Sequence, residues 1–246
     1  MALAPLTAHA GDASAATVHF LGSVLITAAA GVFGYYAVLN LRLNRLESQQ
    51  PFWRYLGLVG ATAGLYGVFG VAATVVDSRA LTAFGHGALL LCIVFLAFSM
   101  REVYYGSAMT PSPDEQRFSL ATLRRLELAF VGIIVVEWVA VLAIDQSAVA
   151  RIVKGLGSVA FATYGVVFAE KLEAMARGTS LDTLRRHLIP MLVSLGVLGV
   201  ADLGVTVGVD PVTVQAVENV FVVLVAGFFV TATIRLQQNV LGLSTA

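Results

Sequence analysis

Seven ionisable side chains lie where an otherwise apolar sequence has little room for charge. They are Asp202, Glu218, His86, Lys154, Arg151, His19 and Glu137. The stretch "GVLGVADLGVTVG" at 196–208 shows the pattern, with one carboxylate, Asp202, set among apolar residues, Gly and Thr. An ionised group in hydrocarbon is expensive, so such residues face a bundle interior or water and pair with one another. A helix rises about 1.5 Å per residue, so depth can be counted along each run. On that count Asp202, Glu218, His86, Lys154, Arg151 and His19 all fall in the same outer third, from five different runs. Glu137 sits near the middle of its run, beside Trp138.

This set is suited to binding rather than to bond-breaking. The expectation is an outward-facing polar pocket for a small molecule or ion, built by Asp202, Glu218, His86, Lys154, Arg151 and His19. Asp202 or Glu218 is expected to pair with Lys154 or Arg151. Same-face polar neighbours support the placement: Thr82 with His86, Thr206 with Asp202, Gln215 with Glu218, and a related stripe of Thr62, Tyr66 and Thr74. Glu137 is read as a proton relay or a protonated, hydrogen-bonded carboxyl. His19 and His86 have no metal-motif spacing, so no metal is assigned. No cofactor is assigned either, with haem or a carotenoid or retinal as the alternative reading. The chain has no G-x-S-x-G, P-loop, G-x-G-x-x-G, H-E-x-x-H or C-x-x-C, and no catalytic residue or enzymatic activity is assigned.

The elements that must carry these residues follow from composition. The chain has 246 residues, 58% hydrophobic and 12% charged. Soluble domains carry about 25% charge. A mean hydropathy of +0.86 points the same way, to an all-α integral membrane protein. Seven apolar runs are long enough to cross a bilayer: 17–40, 53–76, 80–104, 125–144, 148–170, 187–208 and 212–236. Residues 1–16 read as an exposed N-terminal tail, 17–236 as a single seven-helix domain and 237–246 as a short cytoplasmic tail. Twelve of the fifteen Lys and Arg residues fall on one side of this layout; only Arg79, Arg151 and Lys154 fall on the other. The positive-inside rule then places the N-terminus outside and the C-terminus inside a plasma membrane. Zero net charge gives no field for nucleic acid, and the single Cys92 excludes an intrachain disulfide.

Two further patterns stand out. "SLATLRR" at 119–125 returns as "SLDTLRR" at 180–186, which suggests an internal repeat of helix hairpins. Gly60 and Gly64 form a G-x-x-x-G pair, which fits close packing within the chain or in a homo-oligomer.

The layout resembles that of the retinal-binding opsins: seven helices, N-terminus outside, about the same length. The opsins' defining lysine in the seventh helix is missing, since that run reads "VTVQAVENVFVVLVAGFFVTATIR". Covalent retinal is therefore not expected. The seven-helix sensor modules of membrane histidine kinases share the same gross layout. Ten residues follow position 236, so any output is expected to pass through loops 105–124 and 171–186 to a separate cytoplasmic partner. Arg101, Arg124, Arg125, Arg185 and Arg186 would form the docking surface. The leading expectation is a sensor or receptor. The alternative is a small proton- or cation-coupled secondary transporter, against which stands the absence of a mid-span proline: Pro190 is expected in the first turn of its helix.

Overall fold

The computed structural model describes residues 6–44, 46–76, 78–106, 119–144, 147–176 and 180–244. Among these there is no strand. The helices are α1 (Leu6–Leu43), α2 (Gln50–Val75), α3 (Arg79–Tyr105), α4 (Leu120–Ile144), α5 (Ser147–Ala176), α6 (Ser180–Ala201), the short α7 (Leu203–Thr206) and α8 (Pro211–Ser244), with a 3-10 turn at Glu47–Gln49. In hydrocarbon every backbone N–H and C=O must be satisfied within the chain, and helices do this locally. Six stretches are long and apolar enough to cross a bilayer: Ser14–Leu43, Glu47–Val75, Arg79–Tyr105, Val149–Leu172, Thr183–Thr206 and Pro211–Gly242. The protein has the shape of a polytopic helical membrane protein.

Those six stretches form a closed ring. α1 packs on α2, α2 on α3, α3 on α5, α5 on α6, α6 on α8, and α8 returns to α1. α3 also reaches α6 across the ring and is the most enclosed helix, with Leu89, Cys92, Ile93 and Leu96 at most 1% exposed. α4 stands outside the ring, with only slight contact to α3 and α5. Its Leu126, Leu128, Val136 and Val139 are exposed. Chain order would set α4 between α3 and α5; the structure instead packs α3 directly on α5. Exposed Leu21, Leu25, Val32, Leu65 and Val220 show that the outer faces of the ring are apolar, as lipid contact requires.

Several boundaries differ from the sequence reading. α1 begins at Leu6, inside the stretch read as a tail, and α8 continues through most of 237–246. α6 begins at Ser180, so Pro190 lies inside that helix rather than in its first turn. The G-x-x-x-G pair is also resolved. A Cβ on Gly60 would lie 2.5 Å from Gly34 Cα and 2.9 Å from Ala30 O, whereas Gly64 has nothing within 4 Å. Gly67 continues the contact against Ser23 and Thr27. The close approach of α1 and α2 thus runs through Gly60 and Gly67, two turns apart, and it is intramolecular.

Candidate functional site

At the end of the ring away from most of the arginines, polar side chains from separate helices meet. Lys154 of α5 donates from Nζ to Asp202 Oδ2. His86 of α3 places Nε2 3.1 Å from the same oxygen. Lys154 is 3% exposed, so a charged ammonium here needs its counter-ion. Glu218 of α8 interacts with both Asp202 and Lys154. Tyr66 of α2 lies within electrostatic reach of Glu218 and Asp202. Five helices or their ends therefore contribute to one group.

The backbone explains how the pair can meet. A Cβ on Gly199 would run into Ser158 Oγ, and one on Gly155 into the Leu203 side chain. Gly199 lies one turn before Asp202, and Ser158 one turn after Lys154. Glycine at 155 and 199 lets α5 and α6 approach closely enough to join the ammonium and the carboxylate. Asp202 sits at the join between α6 and the short α7, with a helical backbone of φ −62° and ψ −23°. The chain then turns at Gly208, whose φ of 90° is a conformation that favours glycine.

A cleft of about 240 Å³ opens beside the group, lined by Arg79, Thr82, Ala83, His86, Arg151 and Asp202. Arg151 acts electrostatically on His86. His86 Nδ1 is buried with no hydrogen-bond partner. The lining thus carries both signs of charge and one unsatisfied imidazole nitrogen. Trp138 of α4 packs on the adjoining face of α3: it lies edge-on against Phe84 at 5.6 Å and its indole Nε1 lies against Gly87, next to His86 in the chain.

The other proposed residues are placed as follows. His19 sits elsewhere, on the α1–α2–α8 side, near Asn219 and Gly70. It does not share its surroundings with His86. Among the described residues no group of three or more His, Cys, Asp or Glu could hold a metal. Glu137 is 8% exposed on α4, outside the ring. Arg79 and Tyr66 were absent from the proposed pocket. Arg79 falls one residue outside the apolar run 80–104, although its position one turn before Thr82 and Ala83 puts it on their face.

The basic end holds a second cluster. Arg101 Nη2 donates to Glu102 Oε1 at 2.6 Å and to Glu127 Oε2 at 2.8 Å. Arg124 donates from Nε and Nη2 to the two Glu102 oxygens at 3.2 and 2.6 Å. Tyr55 donates its hydroxyl to Glu127. The Glu102 hydrogen bonds hold Arg124 above the ordinary guanidinium range, so it stays charged. Arg101 is 0% exposed and stacks over Phe98 at 4.7 Å. It therefore cannot form part of a docking surface. Arg185 is also buried, with Nη1 donating to Ala169 O at 3.3 Å. Arg124, Arg125 and Arg186 are exposed. Within the two proposed signalling loops, residues 107–118 and 177–179 lie outside the described residues.

Comparison with known proteins gives no matching family model, no matching curated protein and no matching solved structure.

Proposed function

We propose that the protein is a multi-pass sensor of the cell membrane, with seven helices crossing it. Its cleft lined by Arg79, Arg151, His86 and Asp202 takes a small ion or zwitterion from outside. The observation that carries this reading is the position of His86. It is on α3, the enclosed helix, and that same helix carries Arg101 and Glu102 at its other end. The separation is fifteen residues, about 22 Å of helix. A ligand that changes the contact between His86 and Asp202 acts directly on the helix that organises the basic end. Output then passes to a cytoplasmic partner at the exposed Arg124, Arg125 and Arg186.

A Trp53→Phe variant leaves Trp138, packed on α3 against Phe84 and Gly87, as the reporter of the helix that carries His86, since the chain has two tryptophans. In lipid nanodiscs it is titrated with chloride, acetate, phosphate, sodium and glycine in turn. The expected result is a saturable change in Trp138 emission with at least one of them, lost in Arg151→Gln and Asp202→Asn. A flat response to all five contradicts the reading.

A second reading, a proton- or cation-coupled transporter, is favoured by one observation. The sixth long helix contains Pro190 within its span, and the half-buried carboxylate Asp202 lies at its end. Interrupted helices at charged positions build ion sites in transporters. Ion-gradient-dependent uptake into proteoliposomes that fails in Asp202→Asn or Glu137→Gln would select it.

A further inference from the structure

We infer a second binding site, at the basic end, for a phosphate-bearing anion. A cavity of about 460 Å³ opens there between the ends of α1 and α8 and the starts of α2 and α6. Its wall holds Arg235, Trp53 and several neutral polar side chains, and none of the lining residues among those described is acidic. Arg235 pairs with no carboxylate among the described residues. Its Nε donates to His187 Nε2 at 3.3 Å and its Nη1 to Gln238 Oε1 at 2.8 Å. A guanidinium has five N–H donors, so most of its capacity is left over.

The oxygens of Asn44, Gln49 and Gln238 each already accept a hydrogen bond, and donors remain on the neighbouring amides. Asn44 Oδ1 accepts from the backbone N–H of Leu46 at 2.8 Å, which fixes the orientation of that amide. Asn44 Nδ2 must then donate, and it does, to Gln49 Oε1 at 2.7 Å. Gln49 is left with its NH₂ group. Gln238 faces a guanidinium, which can only donate, so its oxygen is committed and its NH₂ group is also left. Trp53 is 2% exposed and its indole N–H has no partner. Asn239 keeps an acceptor, because its Nδ2 donates to Asn40 Oδ1 at 2.6 Å. Asn40, fully buried, in turn donates to Leu236 O at 3.1 Å and so ties α1 to α8 beneath the cavity. The frame is held in place before any ligand arrives.

A guanidinium that pairs with no carboxylate among the described residues, together with free amide donors, selects an anion. A phosphate group suits the planar fork of Arg235 and the spread of donors. The volume is that of a site for a small organic molecule. Two sources offer this chemistry at a membrane surface: a soluble organophosphate and a phospholipid headgroup.

The test uses a Trp138→Phe variant of the full chain, which leaves Trp53 as the reporter in the wall. The protein is held in maltoside micelles, which contain no phosphate. One arm titrates glycerol 1-phosphate; the other adds phosphatidylglycerol to the micelles. A saturable change in Trp53 emission with glycerol 1-phosphate, weakened about tenfold or more by Arg235→Gln and less by Arg235→Lys, supports the site and a soluble ligand. The same Arg235 dependence seen only with phosphatidylglycerol supports the site and a lipid ligand. Arg235 is exposed, so Arg235→Gln is expected to fold, which unchanged helical circular dichroism checks. Gln238→Leu, also at an exposed position, provides a second variant with the same expected weakening. No response to either probe, or a response indifferent to both substitutions, overturns the inference.

Discussion

At the scale of single residues, the protein handles buried charge by pairing it. Lys154 and Asp202 are the clearest case, and their energies should be strongly coupled. A double-mutant cycle with Lys154→Met and Asp202→Leu, read by thermal unfolding in detergent, is expected to give a coupling of about 1 kcal/mol or more. Asp202→Leu leaves the buried ammonium without its partner and Lys154→Met leaves the half-buried carboxylate with His86 alone, while the double variant removes both charges. Additive losses would mean that the contact contributes nothing. Arg101 makes the same point at the basic end. Arg101→Leu leaves Glu127 and Glu102 short of a cation and is expected to lower stability by about 3 kcal/mol. Arg125→Leu, at an exposed position, is expected to shift stability by less than about 0.5 kcal/mol. Equal effects of the two would contradict the buried network. Sequence reasoning brought Asp202, Lys154, His86 and Glu218 to a common depth, because depth follows directly from counting along a helix. It misjudged Arg101, because arginines at span ends commonly reach outward to headgroups. The adjacent Glu102 and the distant Glu127 turn this one inward, and only the second of those required the fold.

At the scale of elements, the small residues decide which helices can approach. Six of the seven apolar runs match stretches long and apolar enough to cross a bilayer, with ends displaced because composition says little about where a helix stops in water, while the run 125–144 falls in α4, which is not among them. Partner choice was not legible. Gly64 looked like half of a packing motif and faces nothing, while Gly199 and Gly155 create the approach that joins Lys154 to Asp202. Spacing within one helix cannot show which face meets a neighbour. Gly199→Val is therefore expected to force α6 from Ser158 and to separate the ion pair. It should destabilise the protein by about 1–3 kcal/mol. Gly64→Val, with open space around it, should change stability far less. Thermal unfolding of the two variants side by side checks this, and a reversed order would contradict the packing.

At the scale of the whole molecule, the arrangement is a ring of six long helices, α3 the most enclosed of them, with a charged group at each end. Sequence supplied the two ends, through the uneven distribution of Lys and Arg. It did not supply the ring, because chain order suggests α4 as the neighbour of α3, whereas α5 occupies that place and α4 lies outside. The central claim is that α3 links the cleft around His86 to the network around Arg101. Amide hydrogen exchange of the purified protein in nanodiscs, wild type against Asp202→Asn, tests that claim without requiring a known ligand. Altered exchange is expected near residues 82–90 and also at 100–106 and 119–127, while the α1–α2 contact around Gly34 and Gly60 stays unchanged. A change confined to the cleft, with the basic end identical to wild type, would contradict the account.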